Sequence, residues 1–468
     1  MFAFLGQPEY KPAETGPEAD ARYRRMRWQV FLGAFIGYAG FYLVRKNLSM
    51  AIPEMEPLGF AKAELGFAKA ELGFVLGLNA AGYAFSKFLM GSVSDRSNAR
   101  VFLPLGLVLS AVAMCFMIVP IKFIGAEHKT LAVVVMGVLN TLVGWFNGMG
   151  WPPCGRVMTH WFSANERGTM MSVWNCAHNV GGALVGPMAT YGAAWFGCWL
   201  YGSHRELYFL AGTFAFPAAV AFLVALLAYV LLRDTPQSCA LPSVEEWRSD
   251  YPANYSAKQE ETLSTRDIFF KHVLNNKFLW FVALSNAFVY MVRYGCLDWA
   301  PTILAERGVD LKSAGWAYFA YEFAAIPGTL LCGWMSDRLF KGRRALPTIL
   351  FMALVLVFIV LYWLFMDNLA VVVAALIGIG FFIYGPVMLI GVQALDLAPK
   401  NAAGTAAGLT GFFGYFLGTF ILANWVVGWI AQTAGWNWTF LLLVAACLLS
   451  IFFMALTCGR RPVSRGAV

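Results

Sequence analysis

The sequence predicts an all-α membrane protein, with twelve transmembrane helices in two pseudo-symmetric six-helix bundles. Three observations predict it. First, 59% of the 468 residues are apolar and only 13% are charged, about half the ~25% charged share of soluble domains. Second, the apolar residues gather into twelve stretches long enough to cross a ~30 Å hydrocarbon core, and a polar stretch from Arg233 to Asn276 leaves six on either side. Third, the halves echo one another. Tyr42-Leu43-Val44-Arg45 returns 248 residues later as Tyr290-Met291-Val292-Arg293.

The first half divides into stretches at 28–50, 66–92, 101–120, 131–157, 168–196 and 207–232. The second divides into stretches at 277–303, 313–338, 345–365, 369–396, 403–430 and 435–457. Their length and lack of period-two alternation exclude the strands of an outer-membrane barrel. The expected organisation is a polar N-terminal segment (1–27), a first bundle (28–232), a central loop (233–276), a second bundle (277–457) and a tail (458–468). Residues 1–27 carry Arg22, Arg24, Arg25 and Arg27 with no cleavable apolar stretch, so no signal peptide is expected. Of the 34 Lys and Arg residues, 23 fall on the side of the termini, 7 on the other and 4 within spans. The positive-inside rule therefore puts both termini and the central loop in the cytoplasm. The net charge of +8 follows from that bias and does not call for nucleic acid.

The nine cysteines are scattered and form no CxxC pair, which points to neither a disulfide framework nor zinc. No nucleophile–base constellation or phosphate-cradling glycine loop is present, so neither an enzyme nor a cofactor is expected.

A second repeat follows the second and eighth stretches. Gly91-Ser92-Val93-Ser94-Asp95-Arg96, ending at Arg100, matches Gly333-Trp334-Met335-Ser336-Asp337-Arg338, followed by Arg343. Both resemble the loop motif of the major facilitator superfamily. Glycine lets helices approach closely, and Asp and Arg can pair across a cytoplasmic gate. The two registers differ: Arg45 to Asp95 is 50 residues, Arg293 to Asp337 only 44. A tandem heptad accounts for this, since Gly59-Phe60-Ala61-Lys62-Ala63-Glu64-Leu65 is repeated as residues 66–72. If helical, the extra seven residues lengthen the outer end by ~10 Å and turn its face by only about 20°. No binding role is assigned to them. Gly168-Thr169 and Gly404-Thr405 form a weaker echo that helix packing explains.

The candidate site starts from the two buried arginines. An ionisable residue inside a membrane span marks function by default, and matched positions in two halves suggest one shared site at the midplane. Arginine's planar fork suits phosphate. Tyr38, Tyr42 and Arg45, spaced by four and three, are expected to share a helix face, as are Tyr290 and Arg293, and Tyr83 and Lys87. Lys87 stays open between a ligand contact and a gating ion pair. His178, with Asn175 one turn before it, is either a satisfied core group or a ligand contact. Its titration near neutral pH would match a phosphate whose second pKa is ~6. The acidic residues within spans are Asp298 and Glu322. Lys46 beside Arg45, and Asp298 five residues beyond Arg293, suggest an ion pair across the halves that breaks during transport.

At these residues the chain resembles the organophosphate:phosphate antiporter family of that superfamily. The matching stretches are Tyr42-Leu43-Val44-Arg45-Lys46-Asn47, Gly150-Trp151-Pro152-Pro153-Cys154-Gly155-Arg156, Trp174-Asn175-Cys176-Ala177-His178-Asn179, Arg233-Asp234-Thr235-Pro236-Gln237-Ser238-Cys239, Arg293-Tyr294-Gly295 and Tyr384-Gly385-Pro386-Val387-Met388-Leu389. The resemblance implies exchange of glycerol 3-phosphate for inorganic phosphate by alternating access in a bacterial inner membrane, by a monomer without cofactor or metal. It implies phosphate held by Arg45 and Arg293, ligand-side roles for His178, Tyr38, Tyr42, Tyr83, Tyr290 and Tyr415, and ion-pair roles for Lys46, Lys87 and Asp298. Glu322 and the loop residues Asp95, Arg96, Asp337 and Arg338 join the expected gating set. The rivals are a carrier of hexose phosphate or phosphoglycerate, and a membrane sensor that binds such esters without moving them. The clearest departure from the family is the heptad duplication.

Overall fold

A computed structural model describes residues 5–58, 60, 68–94, 97–249, 273–397 and 403–458. The first half supplies α1 (Pro17–Leu43), α2 (Lys69–Ser94), α3 (Ala99–Phe116), α4 (Lys129–Asn147), α5 (Ala177–Tyr201) and α6 (Phe216–Leu231). The second supplies α7 (Lys277–Leu297), α8 (Leu311–Arg338), α9 (Ala345–Leu364), α10 (Leu369–Asp396), α11 (Ala403–Phe412) and α12 (Trp436–Ala455). Shorter helices extend this frame: Asn47–Ala51 follows α1, Trp151–Trp161 follows α4, Ala164–Asn175 leads into α5, and Ala300–Ala305 follows α7. Each of the twelve predicted stretches corresponds to one span. We call the side where α1 begins and α12 ends the terminal face, and the other the distal face.

Among the described residues, seven spans are long and apolar enough to cross a membrane by composition alone, and they contain α3, α4, α6, α9, α10, α11 and α12. The other five, α1, α2, α5, α7 and α8, carry polar or charged groups such as Tyr42, Lys87, His178, Arg293 and Glu322. Polar side chains on one face lower their mean hydropathy.

Within the first half α1 packs on α5 and α6, α2 on α4, and α3 on α6; within the second, α7 packs on α11 and α12, and α8 on α10. The halves meet where α5 packs on α8 and where α2 packs on Phe413–Val426, the segment that continues α11. Close approach there requires glycine. A Cβ on Gly186 of α5 would lie 2.2 Å from the Gly315 carbonyl oxygen of α8, and one on Gly73 of α2 would lie 2.2 Å from the Asn424 carbonyl oxygen. Such small-residue contacts are the usual means of bringing membrane helices together.

Several details differ from the sequence expectation. Helix α1 begins at Pro17 rather than near 28, with Glu18 and Asp20 in its first turn, where negative charge favours the helix dipole. Arg27 is buried because it pairs with Glu166 at 2.6 Å. The central loop is not all extended polar chain, for residues 233–249 fold onto the first half. Asp234 accepts from the Ala99 amide at 2.9 Å and pairs with Arg156 at 3.0 Å. Ser243 and Glu246 form a capping box that starts a short helix, Val244–Arg248, and this lays Trp247 flat on Tyr23 with ring centroids 4.2 Å apart. The Ser-x-x-Glu spacing at 243–246 was the available signal. Helix α2 starts at Lys69 instead of 66, so the second heptad contributes its first turn. Of the first copy, residues 59 and 61–65 lie outside the described residues, as do residues 66 and 67 of the second.

Gly186→Ala is expected to overpack the α5–α8 contact at a cost of ~1–3 kcal/mol. The measurement is the unfolding temperature in detergent, against Gly391→Ala, whose Cβ meets nothing within 4 Å. A lower value for Gly186→Ala alone is the expected result.

Candidate substrate-binding site

Arg45 does not stand on the helical face of Tyr38 and Tyr42 as the spacing suggests. Helix α1 ends at Leu43, because Val44 (φ −119°, ψ 23°) and Lys46 (φ −121°, ψ 17°) leave helical geometry. The break turns Arg45 and Lys46 toward the centre, and Ser49 donates to the Lys46 carbonyl at 2.7 Å. The second half has a corresponding break at Asp298–Trp299, between α7 and Ala300–Ala305. Arg293, by contrast, lies within α7.

The two arginines stand across a closed ring of aromatic contacts. The Arg45 guanidinium lies 4.9 Å from the Tyr42 ring, 3.9 Å from Tyr83 and 5.3 Å from Tyr415. Tyr42 continues to His178 at 5.5 Å, and His178 stacks on Tyr384 at 5.6 Å. Tyr384 lies 4.1 Å from the Arg293 guanidinium, which donates to its hydroxyl at 3.0 Å. Arg293 lies 5.7 Å from Tyr290, and Tyr290 meets Tyr415 at 4.9 Å, which closes the ring. Tyr38 buttresses Tyr42 at 5.6 Å.

Both arginines are only 3% exposed. Among the described residues, the Nε of each finds no hydrogen-bond partner and neither guanidinium forms an ion pair. The aromatic faces offset part of the desolvation through cation–π attraction, worth ~2 kcal/mol or more per desolvated pair. The orphan donors remain, and a buried donor without a partner is costly.

Two of the other charges near the centre pair with each other. Lys46 Nζ meets Asp298 Oδ2 at 2.6 Å, joining the halves, with Asp298 fully buried. Lys46 also lies 4.1 Å from the Tyr294 ring. Glu322 of α8 accepts from Asn179 of α5 at 3.2 Å. His178 Nδ1 touches the Asn175 carbonyl, so Asn175 acts here through its backbone. Lys87 is half-buried and lies 5.3 Å from the Trp151 ring.

The loop residues do not gather at the centre. Asp337 bonds Arg344 of its own half, not a group across a gate, and Arg338 is exposed. Asp95 and Arg96 lie outside the described residues.

Sequence reasoning missed Tyr384, Tyr294, Tyr321 and Asn179. Tyr321 donates its hydroxyl to the Arg293 carbonyl at 3.1 Å. Helical spacing was the signal: Tyr290, Tyr294 and Asp298 recur every four residues, and Tyr318, Tyr321 and Glu322 follow the three-four pattern. It also missed that α11 continues as a π-helix over Phe413–Val426 before returning to α-helix at Val427–Thr433. Tyr415 sits in that wider helix, a geometry frequent at functional sites.

Comparison with known proteins decides the family. The model of the Major Facilitator Superfamily matches residues 30–423. The chain belongs to the major facilitator superfamily. Its members are transporters, and the chain is a multi-pass membrane protein of that fold. The "Glycerol-3-phosphate transporter" of Bacillus subtilis (strain 168) is 52% identical over 445 residues, covering 94% of this chain and 94% of the relative. A second "Glycerol-3-phosphate transporter", from Haemophilus influenzae (strain ATCC 51907 / DSM 11121 / KW20 / Rd), is 45% identical, covering 94% of this chain and 92% of the relative. Among solved structures, a bacterial homologue of the human lysosomal transporter Spinster, inward-facing and occupied, superposes with a TM-score of 0.69 at 15% identity. It covers 94% of this chain and 98% of that one, and it bears on the fold alone.

Three expected outcomes test these contacts. Asp298→Asn strands Lys46 without its counter-charge and is expected to cost ~3–5 kcal/mol, read as a fall in unfolding temperature. Lys46→Asp combined with Asp298→Lys is expected to recover transport that either single change removes. Tyr384→Phe removes one hydrogen bond from Arg293 and is expected to weaken ligand binding by roughly five- to tenfold, measured by isothermal titration.

Proposed function

We propose that the protein takes up glycerol 3-phosphate in exchange for inorganic phosphate, with the phosphoryl group held between Arg45 and Arg293. The observation that carries the reading is the pair of buried guanidiniums, one from each half, whose Nε donors have no partner among the described residues. An anion with several acceptor oxygens suits them, since Arg–phosphate contacts are bidentate and charge-assisted. The glycerol 3-phosphate transporters at 52% and 45% identity support the organic group.

The mechanism follows from electrostatics. Empty, the site holds two desolvated cations that oppose drawing the halves together. Loaded, the anion neutralises them and bridges the two halves. The halves, 28–232 and 277–457, act as the moving bodies, and the loaded carrier switches readily while the empty one does not, which makes exchange obligatory. Lys46–Asp298 must part as the distal side opens, and His178, between Tyr42 and Tyr384, is the proposed further contact for a phosphate oxygen. The positive-inside count places both termini in the cytoplasm, so an outward phosphate gradient drives uptake from the distal side.

The test is uptake of labelled glycerol 3-phosphate into phosphate-loaded proteoliposomes, with labelled glucose 6-phosphate and 3-phosphoglycerate compared. Saturable uptake of glycerol 3-phosphate that needs internal phosphate is the expected result. Preference for another ester changes the substrate, and binding without uptake supports a sensor. Arg45→Lys keeps the charge but loses the fork. Losing one charged hydrogen bond of ~1.5–3 kcal/mol is expected to weaken binding about ten- to a hundredfold. Near-parental uptake by this variant would refute the bidentate clamp.

A further inference from the structure

The second copy of the duplicated heptad was assigned no role above, yet it makes specific contacts with the other half at the distal face. Lys69, the first residue of α2, places its Nζ 2.7 Å from Glu306 Oε1. The other carboxylate oxygen of Glu306 accepts from Trp436 Nε1 at 2.6 Å, and Lys69 Nζ lies 4.8 Å from the Trp436 ring. The neighbouring Ala70 amide donates to Gln432 Oε1 at 3.1 Å. The backbones also touch: a Cβ on Gly428 would meet the Lys69 carbonyl oxygen at 2.6 Å. Thus the first turn of α2 binds the ends of three second-half elements, after Ala300–Ala305, at Val427–Thr433 and at the start of α12.

Helix stability does not explain Lys69. A cation at a helix N-terminus is unfavourable with the dipole, whereas Glu71 in the same turn is favourable and pairs within its own half with Lys129 at 3.0 Å. Among the described residues, the carboxylate that compensates Lys69 comes from across the interface. The cluster is also linked to the site, because Trp436 meets Trp299 at 6.0 Å and Trp299 directly follows Asp298. The two cross-half ion pairs differ in kind. Lys46–Asp298 is buried, whereas the side chains of Lys69 and Glu306 are 30% and 37% exposed. Water reaches the outer pair, so breaking it leaves both charges solvated and costs little. That suits a contact that forms and parts each cycle.

We infer that Lys69, Glu306 and Trp436 form a distal latch that holds the carrier closed on that face and sets how often it opens there. The inference rests on the alternating-access reading above. The latch touches no ligand, so it acts only through populations: a ligand's apparent dissociation constant rises as the competent state becomes rarer. Releasing a partly exposed ion pair is expected to raise the distal-open population roughly threefold.

The experiment measures exchange in proteoliposomes of defined orientation, with glycerol 3-phosphate titrated on one face at a time. Lys69→Met, Glu306→Gln and Trp436→Phe are each expected to lower the apparent KM on the distal face by about threefold, with the terminal-face KM unchanged or raised. Lys69→Arg, and Lys69→Glu combined with Glu306→Lys, are expected to keep the parental values. A variant that merely folds poorly loses maximal rate and leaves both KM values in place. KM values unchanged on both faces in Glu306→Gln and Trp436→Phe, or shifted equally on both, would overturn the latch. A parent protein that does not exchange at all would instead overturn the transport reading.

Discussion

Two guanidiniums held out of water, with no ion pair among the described residues, set the terms for the rest of this molecule. In a low-dielectric interior an isolated charge is among the costliest things a fold can contain. A carboxylate beside each arginine would remove the cost, but it would also occupy the donors and repel an incoming anion. The structure surrounds them with tyrosine instead. Six phenol rings, those of Tyr42, Tyr83, Tyr415, Tyr290, Tyr294 and Tyr384, lie within reach of one or other guanidinium. They stabilise positive charge with their faces while bringing no negative charge of their own. Of the two central acids, Asp298 pairs with Lys46, while Glu322 accepts from Asn179 and lies within electrostatic reach of Arg293. The centre therefore keeps a positive potential, the feature on which the proposed anion site rests.

The scaffold keeps that arrangement movable. Each half delivers its charges near an interruption in its leading helix, and the interruptions at Arg45–Lys46 and Asp298–Trp299 face one another through an ion pair. The halves touch through α5 on α8 and α2 on α11 and its continuation, pairs that the internal repeat relates to each other. Glycine backbones bring the helices close in these contacts, and on the α2 side Phe74 and Phe85 also pack against Phe420, Trp425, Phe412 and Phe416 of the other half. Interfaces of that kind have two good arrangements, which is what rocking of one bundle against another requires.

Much of this was legible in the sequence. The repeat around Arg45 and Arg293 gave the symmetry, and helical spacing placed Tyr38, Tyr42, Tyr83 and Tyr290 toward the centre. The Lys46–Asp298 pair was readable because each residue is an unbalanced charge next to a matched arginine. What was not legible depended on departures from ideal helix. Spacing rules assume an unbroken helix, so they put Arg45 on a face where the break after Leu43 supplies it instead. They likewise gave no hint of the π-helix that carries Tyr415. Tyr384 escaped because a lone tyrosine in an apolar span is indistinguishable from core until its neighbours in space are known. The docked part of the central loop, with Trp247 on Tyr23, needed a long-range contact that only its capping box foreshadowed.

The uneven hydrophobicity of the spans has a consequence for biogenesis. Seven spans are apolar enough to enter a bilayer by themselves, but α1, α2, α5, α7 and α8 are not among them. A charged side chain at the centre of a lone helix opposes its insertion by ~2.5–3.5 kcal/mol, so α2 with Lys87 and α7 with Arg293 need neighbours already in place. Helices α1 and α2 emerge first from the ribosome, and the apolar α3 and α4 follow. The first half is therefore expected to enter the membrane as a group, its leading helices held at the translocon until later ones shield their polar faces.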